Sequence, residues 1–443
     1  MNSTTFTRLI LVSAVLAASL AVAGCGLFAS NKKPLPGERV AVGQEDRELK
    51  PDSGAAGGVT LPRPSANPDW PQSGGYASAA MQHPETSDAP GVVWSADVGS
   101  GSGSDRRLTA PPVVADGKVF VKDSKGYVSA YEAGTGRQLW RVELTPEKAR
   151  DSDEFGGGVA YYAGRLFVTT GFAVVFALDP SSGKEIWRST VTAPVRGAPT
   201  VFADRVFAVS IDNHIFALAA VDGGVLWDFA ALQEQAGLVG GASPSASSDV
   251  VVAPFTSGEL IGLRIDNGRQ IWNESLIGKQ SAAVRAAEPT DIHGRPVIDR
   301  GMVFAVGNAG QVVALDLRSG ARVWDKPIGG LETPWSAGQY VYVLSNQQEV
   351  VCLQRSDGRI KWVALLTQFA DEKRREPIQW VGPVLVGDRL LVGSSLGELV
   401  AISPYDGRPL GKVDLKSAVR LAPVVADRMI YVLTDSGRLV AMR

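Results

Sequence analysis

Residues 302–324 read Met-Val-Phe-Ala-Val-Gly-Asn-Ala-Gly-Gln-Val-Val-Ala-Leu-Asp-Leu-Arg-Ser-Gly-Ala-Arg-Val-Trp, and this stretch decides the fold. Two short runs of strand-forming residues are each followed by a turn that contains Gly, and a third run ends on Trp324. Apolar runs separated by such turns predict strands that are joined as hairpins. Gly320 stands in the second turn, where a residue without a Cβ adopts a positive φ at no steric cost.

The same register recurs along the chain. At seven places a small residue is followed six positions later by Gly, and in six of the seven a Trp stands ten positions after the small residue. Repeats of about 40 to 50 residues that are rich in strand formers and turn glycines predict a β-propeller. The copies are Ala130/Gly136/Trp140, Ala177/Gly183/Trp187, Ala217/Gly223/Trp227, Gly262/Gly268/Trp272, Ala314/Gly320/Trp324, Cys352/Gly358/Trp362 and Ala401/Gly407/Gly411.

The tryptophans predict how neighbouring sheets are held together. A small residue leaves room for an indole, so we interpret the small residue and the Trp as a docking pair between sheets. An aromatic side chain of this kind buries about 150 to 250 Å². The predicted docking residues are Trp94, Trp140, Trp187, Trp227, Trp272, Trp324 and Trp362.

The two ends of the repeat region predict a closed ring. An eighth copy begins at Ala441 and stops at Arg443, before its outer strand, whereas residues 91–94 form a lone strand without a partner. Pairing of these ends would complete one sheet and remove exposed strand edges. The expected fold is therefore all-β, a single eight-bladed β-propeller over residues 91–443 that is closed by pairing of the N-terminal strand with the C-terminal blade.

The N-terminus predicts export and a tether. Arg8 precedes an apolar run from Leu9 to Val22, which is typical of a signal peptide over residues 1–24. An uncleaved membrane anchor remains the alternative, because the nearly continuous apolar or small sequence from Leu9 to Ala29 could just span a bilayer. Residues 25–90 are dense in Gly, Pro, Ser and charge, which predicts a flexible tether. The segment around Trp70 is the exception, and we expect it to lie against the flank of the propeller.

The composition argues against catalysis and nucleic-acid binding. The three histidines are scattered, and the sequence has no metal-binding Cys or His spacing, nucleophile elbow or P-loop. The repeat carboxylates, such as Asp316, lie in or near turns, which Asp stabilises through its side chain. Two cysteines give no disulfide framework. A net charge of -2 gives no reason to expect a nucleic-acid partner. We therefore expect no enzyme, no metal and no cofactor.

The repeat resembles that of the pyrroloquinoline-quinone (PQQ) dehydrogenases, eight-bladed enzymes with a quinone and Ca²⁺ at the ring centre, but the adjacent Cys pair that most of them carry is absent. The chain is more similar to the family of outer-membrane protein assembly factor BamB. This resemblance rests on residues 22–25, which resemble a lipobox, and on residues 94–101, 112–119 and 314–320. It implies PQQ-like repeats, a lipid on Cys25 and a propeller held in the periplasm at the outer membrane. The residue after the Cys, Gly26, also favours sorting to the outer membrane. It further implies a non-catalytic scaffold whose partner is a POTRA domain of BamA, the barrel-forming subunit.

The resemblance also implies where that partner binds, on two loops between blades. The first aligns with residues 238–244 and includes Leu238, Val239 and Gly240, and the second aligns with residues 291–296 and includes Asp291 and His293. Val239 replaces an Arg of the family pattern and His293 replaces its second Asp. Leu238 could instead be a core side chain, and Asp291 could stabilise its own loop.

Three other interpretations stay open. The charged loop at residues 368–376 is either a solvated surface or a further partner contact. The protein could also be an exported PQQ-dependent dehydrogenase. A propeller that binds another envelope protein or a polysaccharide is the third possibility.

Overall fold

A computed structural model describes residues 49–54, 57–87, 90–104, 106–146, 154–232, 241–277, 290–371, 373 and 375–443. Within these ranges the regular secondary structure is thirty-two β-strands. They form eight sheets of four strands each. The predicted all-β, eight-bladed propeller is confirmed. No helix in this part of the chain is long and apolar enough to cross a membrane.

We number the blades along the chain and letter their strands A to D from the hub to the rim. Blade 1 consists of β2 (Val113–Ala115), β3 (Lys118–Lys122), β4 (Tyr127–Glu132) and β5 (Gln138–Glu143), and blade 2 of β6 (Val159–Tyr162), β7 (Arg165–Thr169), β8 (Val174–Leu178) and β9 (Glu185–Thr190). Blade 3 consists of β10 (Thr200–Phe202), β11 (Arg205–Val209), β12 (His214–Ala219) and β13 (Val225–Ala230), and blade 4 of β14 (Ser245–Ser247), β15 (Val250–Pro254), β16 (Glu259–Arg264) and β17 (Gln270–Ser275).

The second half of the ring repeats this pattern. Blade 5 consists of β18 (Val297–Asp299), β19 (Met302–Gly307), β20 (Gln311–Asp316) and β21 (Arg322–Lys326), and blade 6 of β22 (Trp335–Ala337), β23 (Tyr340–Leu344), β24 (Glu349–Gln354) and β25 (Ile360–Leu365). Blade 7 consists of β26 (Trp380–Val386), β27 (Arg389–Ser394), β28 (Glu398–Ile402) and β29 (Pro409–Asp414), and blade 8 of β30 (Val424–Ala426), β31 (Met429–Leu433), β32 (Arg438–Met442) and β1 (Val92–Asp97).

Blade 8 closes the ring as the sequence predicts. Its strand order is β1-β32-β31-β30, so the first strand of the chain is the outer strand of the last blade. β1 pairs antiparallel with β32, and Trp94 lies opposite Ala441. The small residue and the Trp thus occupy the same register in this blade as in the others.

Each docking Trp reaches the next blade through a hydrogen bond as well as through packing. Its Nε1 donates to a main-chain carbonyl at 2.8–3.1 Å. A fixed donor on each indole therefore ties neighbouring blades together around the ring. The pairs are Trp94 with Ala133, Trp140 with Pro180, Trp187 with Ala220, Trp227 with Ile265, Trp272 with Leu317, Trp324 with Arg355 and Trp362 with Pro404.

The partner of each Trp in the next blade differs from the expectation. The small residue pairs with the Trp of its own blade, and a Cβ on Gly262 would lie 2.2 Å from Cε2 of Trp272. The contact between blades is made instead with the turn glycine of the next repeat. A Cβ on Gly320 would lie 2.5 Å from Cγ of Trp272. Gly320 therefore serves two purposes, since it also has a φ of 70°.

This geometry explains why one repeat lacks its Trp. Gly411 occupies the Trp position of blade 7. An indole there would point toward the turn between strands C and D of blade 8. Those strands are β32 and β1, which come from opposite ends of the described chain and are not joined by a turn. The docking Trp is missing where its docking surface is missing.

Residues 67–84, which we call the strap, follow the lower end of the hub. Composition predicts a flexible tether here, but the strap bonds in chain order to all eight blades. These hydrogen bonds replace the missing apolar surface, because they satisfy polar groups of the inner strands and of the turns that follow them. The contacts are Asn67 with blade 8, Trp70 with blade 1, Pro71 with blade 2, Gln72 with blade 3, Ala77 with blade 4, Ser78 with blade 5, Gln82 with blade 6 and Pro84 with blade 7.

Trp70 is the main apolar anchor of the strap. Its side chain is 2% exposed, and it stacks on Trp335 with ring centroids 6.1 Å apart. Its main chain exchanges two hydrogen bonds with Val114, at 2.7 and 2.9 Å. On the other side of the hub, both ring nitrogens of the buried His83 contact main-chain oxygens, those of Pro62 and Gly387. The order expected around Trp70 thus extends over the whole strap. Its position was not the expected one, because Trp70 pairs with the innermost strand of blade 1 and lies at the hub instead of on the flank of the propeller.

Candidate partner-binding face

The loops that enter the inner strands all lie on one face of the ring. Because strands alternate in direction, the loops before strands A and the turns between strands B and C share this upper face. The turns between A and B and between C and D share the lower face, where the strap lies. The first predicted partner loop precedes strand A of blade 4, and the second precedes strand A of blade 5. Both loops therefore belong to the upper face.

The first predicted loop is described only in part. Leu238, Val239 and Gly240 lie outside the described residues. The chain resumes at residues 241–244, which lead into β14, with Ser243 5% exposed. A Cβ on Gly241 would lie 3.0 Å from the main-chain nitrogen of Gly197, so the loops before blades 3 and 4 pack closely.

The second predicted loop is fully described. Asp291 is 4% exposed, and its main-chain oxygen accepts a hydrogen bond from the N–H of Asn308 at 3.1 Å. Its side chain therefore offers little surface to a partner, which favours the alternative that it stabilises its own loop. His293 is half-buried, and its Nδ1 lies 3.3 Å from the main-chain oxygen of Leu331 in the next loop.

The two loops meet at a cavity in the upper part of the hub. The cavity has a volume of about 150 Å³, and residues 241–243 and 293–295 line it side by side. Trp70, Ser73, Gly74 and Ala79 of the strap also line it. The strap thus separates this cavity from the lower face, and the predicted partner loops surround it from above.

Glu332 brings an acidic group into the cavity. It belongs to the loop before blade 6, and its Oε2 accepts a hydrogen bond from the N–H of Gly382 at 3.3 Å. Burial within the ring raises the pKa of this carboxyl to about 7, and the nearby His293 acts in the opposite direction. Glu332 retains some exposed area, because it faces the cavity, but the ring shields it from bulk water.

Arg295 brings a fully buried cation to the same cavity. Its side chain bridges three blades and the strap. Nε donates to Ser245 Oγ at 2.8 Å, and Nη2 donates to Thr200 Oγ1 at 3.1 Å and to the oxygen of Ala77 at 2.9 Å. Removal from water lowers the pKa of the guanidinium to about 9. The sequence alone gave no sign of this role, because these partners lie far from Arg295 in the chain.

The charged loop between blades 6 and 7 is held by its own main chain. Asp371 accepts hydrogen bonds from the N–H groups of Arg375 and Glu376, at 2.8 and 3.0 Å. Ala370 and Glu376 are also hydrogen-bonded through their main chains. The carboxylate of Asp371 therefore stabilises a local turn.

The hub does not fit the quinone and Ca²⁺ of the PQQ dehydrogenases. Among the residues that the structure describes, no group of three or more His, Cys, Asp or Glu could hold a metal ion. The cavity of about 150 Å³ is also smaller than the roughly 300 to 1,000 Å³ of typical ligand pockets. No reaction step through such a group follows from this site.

Eight four-stranded blades joined by this Trp register define the class of PQQ-like β-propellers. The profile of the family described as outer membrane protein assembly factor BamB matches residues 88–150, 124–364 and 369–443. The chain belongs to this family.

Individual relatives agree with the family match. The BamB protein of Yersinia pestis is 28% identical over 363 residues, which cover 81% of this chain and 90% of that protein. The crystal structure of BamB from Moraxella catarrhalis superimposes with a TM-score of 0.62 at 18% identity and covers 80% of this chain and 98% of that one. The crystal structure of a quinohemoprotein alcohol dehydrogenase from Comamonas testosteroni superimposes with a TM-score of 0.66 at 15% identity, and the match covers 85% of this chain and 80% of that one. At such identities the structural matches show the fold alone.

Proposed function

We propose that this protein is a non-catalytic scaffold lipoprotein of outer-membrane β-barrel assembly, anchored to the outer membrane through Cys25 with its propeller in the periplasm. Its partner is a POTRA domain of BamA, and its upper face is the binding surface. Family membership supports the role in outer-membrane protein assembly. The lipobox-like residues 22–25 support the anchor.

The convergence of the two loops is the observation that carries the choice of face. Residues 241–243 and 293–295 belong to different blades, yet they line one cavity. Loops that extend from a rigid scaffold are where binding sites usually lie. The docking tryptophans and the strap supply that rigidity, because they tie every blade to its neighbours or to the hub. In this proposal Leu238 and His293 contact the partner, and Asp291 holds the second loop in place.

A pull-down with matched variants tests this proposal. Leu238→Glu places a charge on the first loop, and we expect it to reduce recovery of a POTRA-containing BamA from detergent-solubilised membranes at least about tenfold, as for loss of a central interface contact. Val221→Glu is the control. Val221 is 65% exposed and lies in the lower-face turn of blade 3, so this change adds the same charge on the opposite face.

The outcome depends on both variants remaining folded, which circular dichroism and the melting temperature establish. Equal recovery with Leu238→Glu and the unchanged chain would contradict the upper-face site. Absence of BamA from every preparation would contradict the proposed function itself. Cys25→Ser tests the anchor separately, because the variant should move from the membrane fraction to the soluble periplasmic fraction.

A further inference from the structure

The outer edge of blade 6 binds an acidic residue from the N-terminal part of the chain. The main-chain N–H of Asp52 donates to the oxygen of Ile360, the first residue of strand D, at 3.0 Å. The N–H of Ile360 donates in return to Oδ2 of Asp52 at 2.8 Å, and Nζ of Lys326 donates to the same oxygen at 3.1 Å. An edge strand carries main-chain groups that no further strand satisfies. The edge of a D strand can therefore hold an extended segment that carries a carboxylate.

Blade 4 has the same edge beside an open groove. Gln270 is the first residue of its strand D and lies opposite Leu263, as Ile360 lies opposite Leu353 in blade 6. This shared register directs the N–H and carbonyl of Gln270 away from strand C. The groove has a volume of about 590 Å³, within the range of typical ligand pockets. Its charged lining consists of Arg264, Arg269 and Asp249 of blade 4 and Arg318 of blade 5.

The positive charge of this groove is only partly neutralised. Arg264 pairs with Asp266 and with Asp249, at nitrogen–oxygen distances of 3.1 and 3.7 Å. Within the described ranges, the exposed guanidinium groups of Arg269 and Arg318 pair with no carboxylate. Like charges that share a groove repel each other, and guanidinium groups form strong hydrogen bonds with carboxylates. A carboxylate that enters the groove is therefore stabilised by both groups.

Other blades neutralise the residue equivalent to Arg269 within their own C–D turn. The pairs are Arg137 with Glu132 in blade 1, Arg359 with Asp357 in blade 6 and Arg408 with Asp406 in blade 7. In blade 4 the register positions of Glu132 and Asp357 are taken by Arg264 and Asn267. The excess positive charge is thus a property of blade 4 and not of the repeat.

We propose that the groove at the outer edge of blade 4 binds an acidic, extended peptide segment of a partner protein, whose main chain pairs with Gln270 and whose carboxylates contact Arg269 and Arg318. The contact of Asp52 with blade 6 favours a peptide over a phosphate ligand, because the main chain of the segment takes part. Ile271 lines the same groove, is 38% exposed and offers an apolar contact to a neighbouring side chain. The groove lies at the lower, outer edge of the ring, so this site goes beyond the proposed upper-face contact and does not depend on it.

The test measures binding of a synthetic peptide to the full chain, purified in a nonionic detergent, by ligand-observed NMR at low ionic strength. The peptide is acetyl-Gly-Pro-Asp-Asp-Ser-Gly-amide, which adds one Asp to the sequence of residues 51–54. We expect a dissociation constant of about 0.1 to 10 mM, as for ligands of this size. Binding should weaken as sodium chloride is added, and a peptide with Asn in place of both Asp residues should bind at least about tenfold more weakly.

Two variants of the protein separate the charge from the strand edge. Arg269→Gln combined with Arg318→Gln should weaken binding about four- to twenty-fivefold, because each exposed charge contributes about two- to fivefold. Gln270→Pro keeps the charge but removes the N–H, and should weaken binding about fivefold. Strand D of blade 7 begins with Pro409, so the fold accepts Pro at this position.

Arg137→Gln combined with Arg408→Gln is the matched control, because it removes the same charge from the C–D turns of blades 1 and 7 and should leave binding unchanged. Melting temperatures establish that each variant is folded. Unchanged binding by either folded groove variant, an equal loss in the control, or equal binding of the Asn peptide would overturn the proposal. Tighter binding of inorganic phosphate or of dihexanoyl-phosphatidylglycerol than of the peptide would also overturn it, since the groove would then be a phosphate or lipid site.

Discussion

Replacement of Trp70 by Ala asks whether the strap is a structural part of the ring. The indole is 2% exposed and stacks on Trp335. Burial of about 150 to 250 Å² at about 25 cal/mol per Å² gives an upper bound of about 4 to 6 kcal/mol. Its Nε1 has no hydrogen-bond partner, so the change removes no hydrogen bond. Since Trp-to-Ala changes in cores cost about 3 to 5 kcal/mol, we expect a loss in this range.

Equilibrium denaturation with urea measures this change in the free energy of unfolding. Tyr76→Ala is the matched control, because Tyr76 lies in the same strap but is 44% exposed, and its loss should cost no more than about 0.5 kcal/mol. Limited proteolysis adds a local readout, since a released strap should be cleaved between residues 49 and 90 in the Trp70→Ala variant. If both variants unfolded at the same urea concentration as the unchanged chain, the strap would not be part of the folded ring.

Two further predictions concern the turn glycines and the buried acid. Gly320→Ala should destabilise the fold by about 1 to 3 kcal/mol more than Gly301→Ala, because both positions have a positive φ but only Gly320 contacts Trp272; equal unfolding free energies for the two variants would refute the docking role of Gly320. Glu332 has a pKa of about 7 in the fold against 4.5 as its ordinary value, so the folded state retains a proton that the unfolded chain releases. Stability should therefore fall as pH rises from about 4.5 to 7. Glu332→Gln should remove this pH-dependent loss of stability, which amounts to about 1 to 3 kcal/mol at pH 8. Parallel curves of stability against pH for the variant and the unchanged chain would contradict this role of Glu332.

The repeat was predictable because it is a local feature. Spacing of Trp and Gly within about ten residues fixes a hairpin, and seven copies of a hairpin leave few arrangements other than a ring. The partner of each Trp was not predictable. A constant spacing of Ala314, Gly320 and Trp324 fits both contacts within a blade and contacts between blades, and only the three-dimensional arrangement shows that Trp324 packs on Gly358 of the next blade.

The strap and the cavity lay beyond sequence reasoning for a related reason. Composition indicates how much apolar surface a segment can bury. The strap is held mainly by main-chain hydrogen bonds to the blades, which composition does not reveal. Arg295 stood within the loop that the family resemblance identified, yet its neighbours Thr200, Ser245 and Ala77 come from distant parts of the chain. The resemblance indicated which pair of loops to consider, and it could not indicate which of their side chains are buried.

The central claim is that the upper face of the propeller meets a POTRA domain of the barrel-forming subunit. A photo-crosslinking amino acid at position 238 in cells measures this contact directly, and the same amino acid at position 221 on the lower face serves as the comparison. We expect a crosslinked species that contains BamA from position 238 and none from position 221. Crosslinks to BamA from position 221 alone, or from neither position in a folded protein, would contradict it.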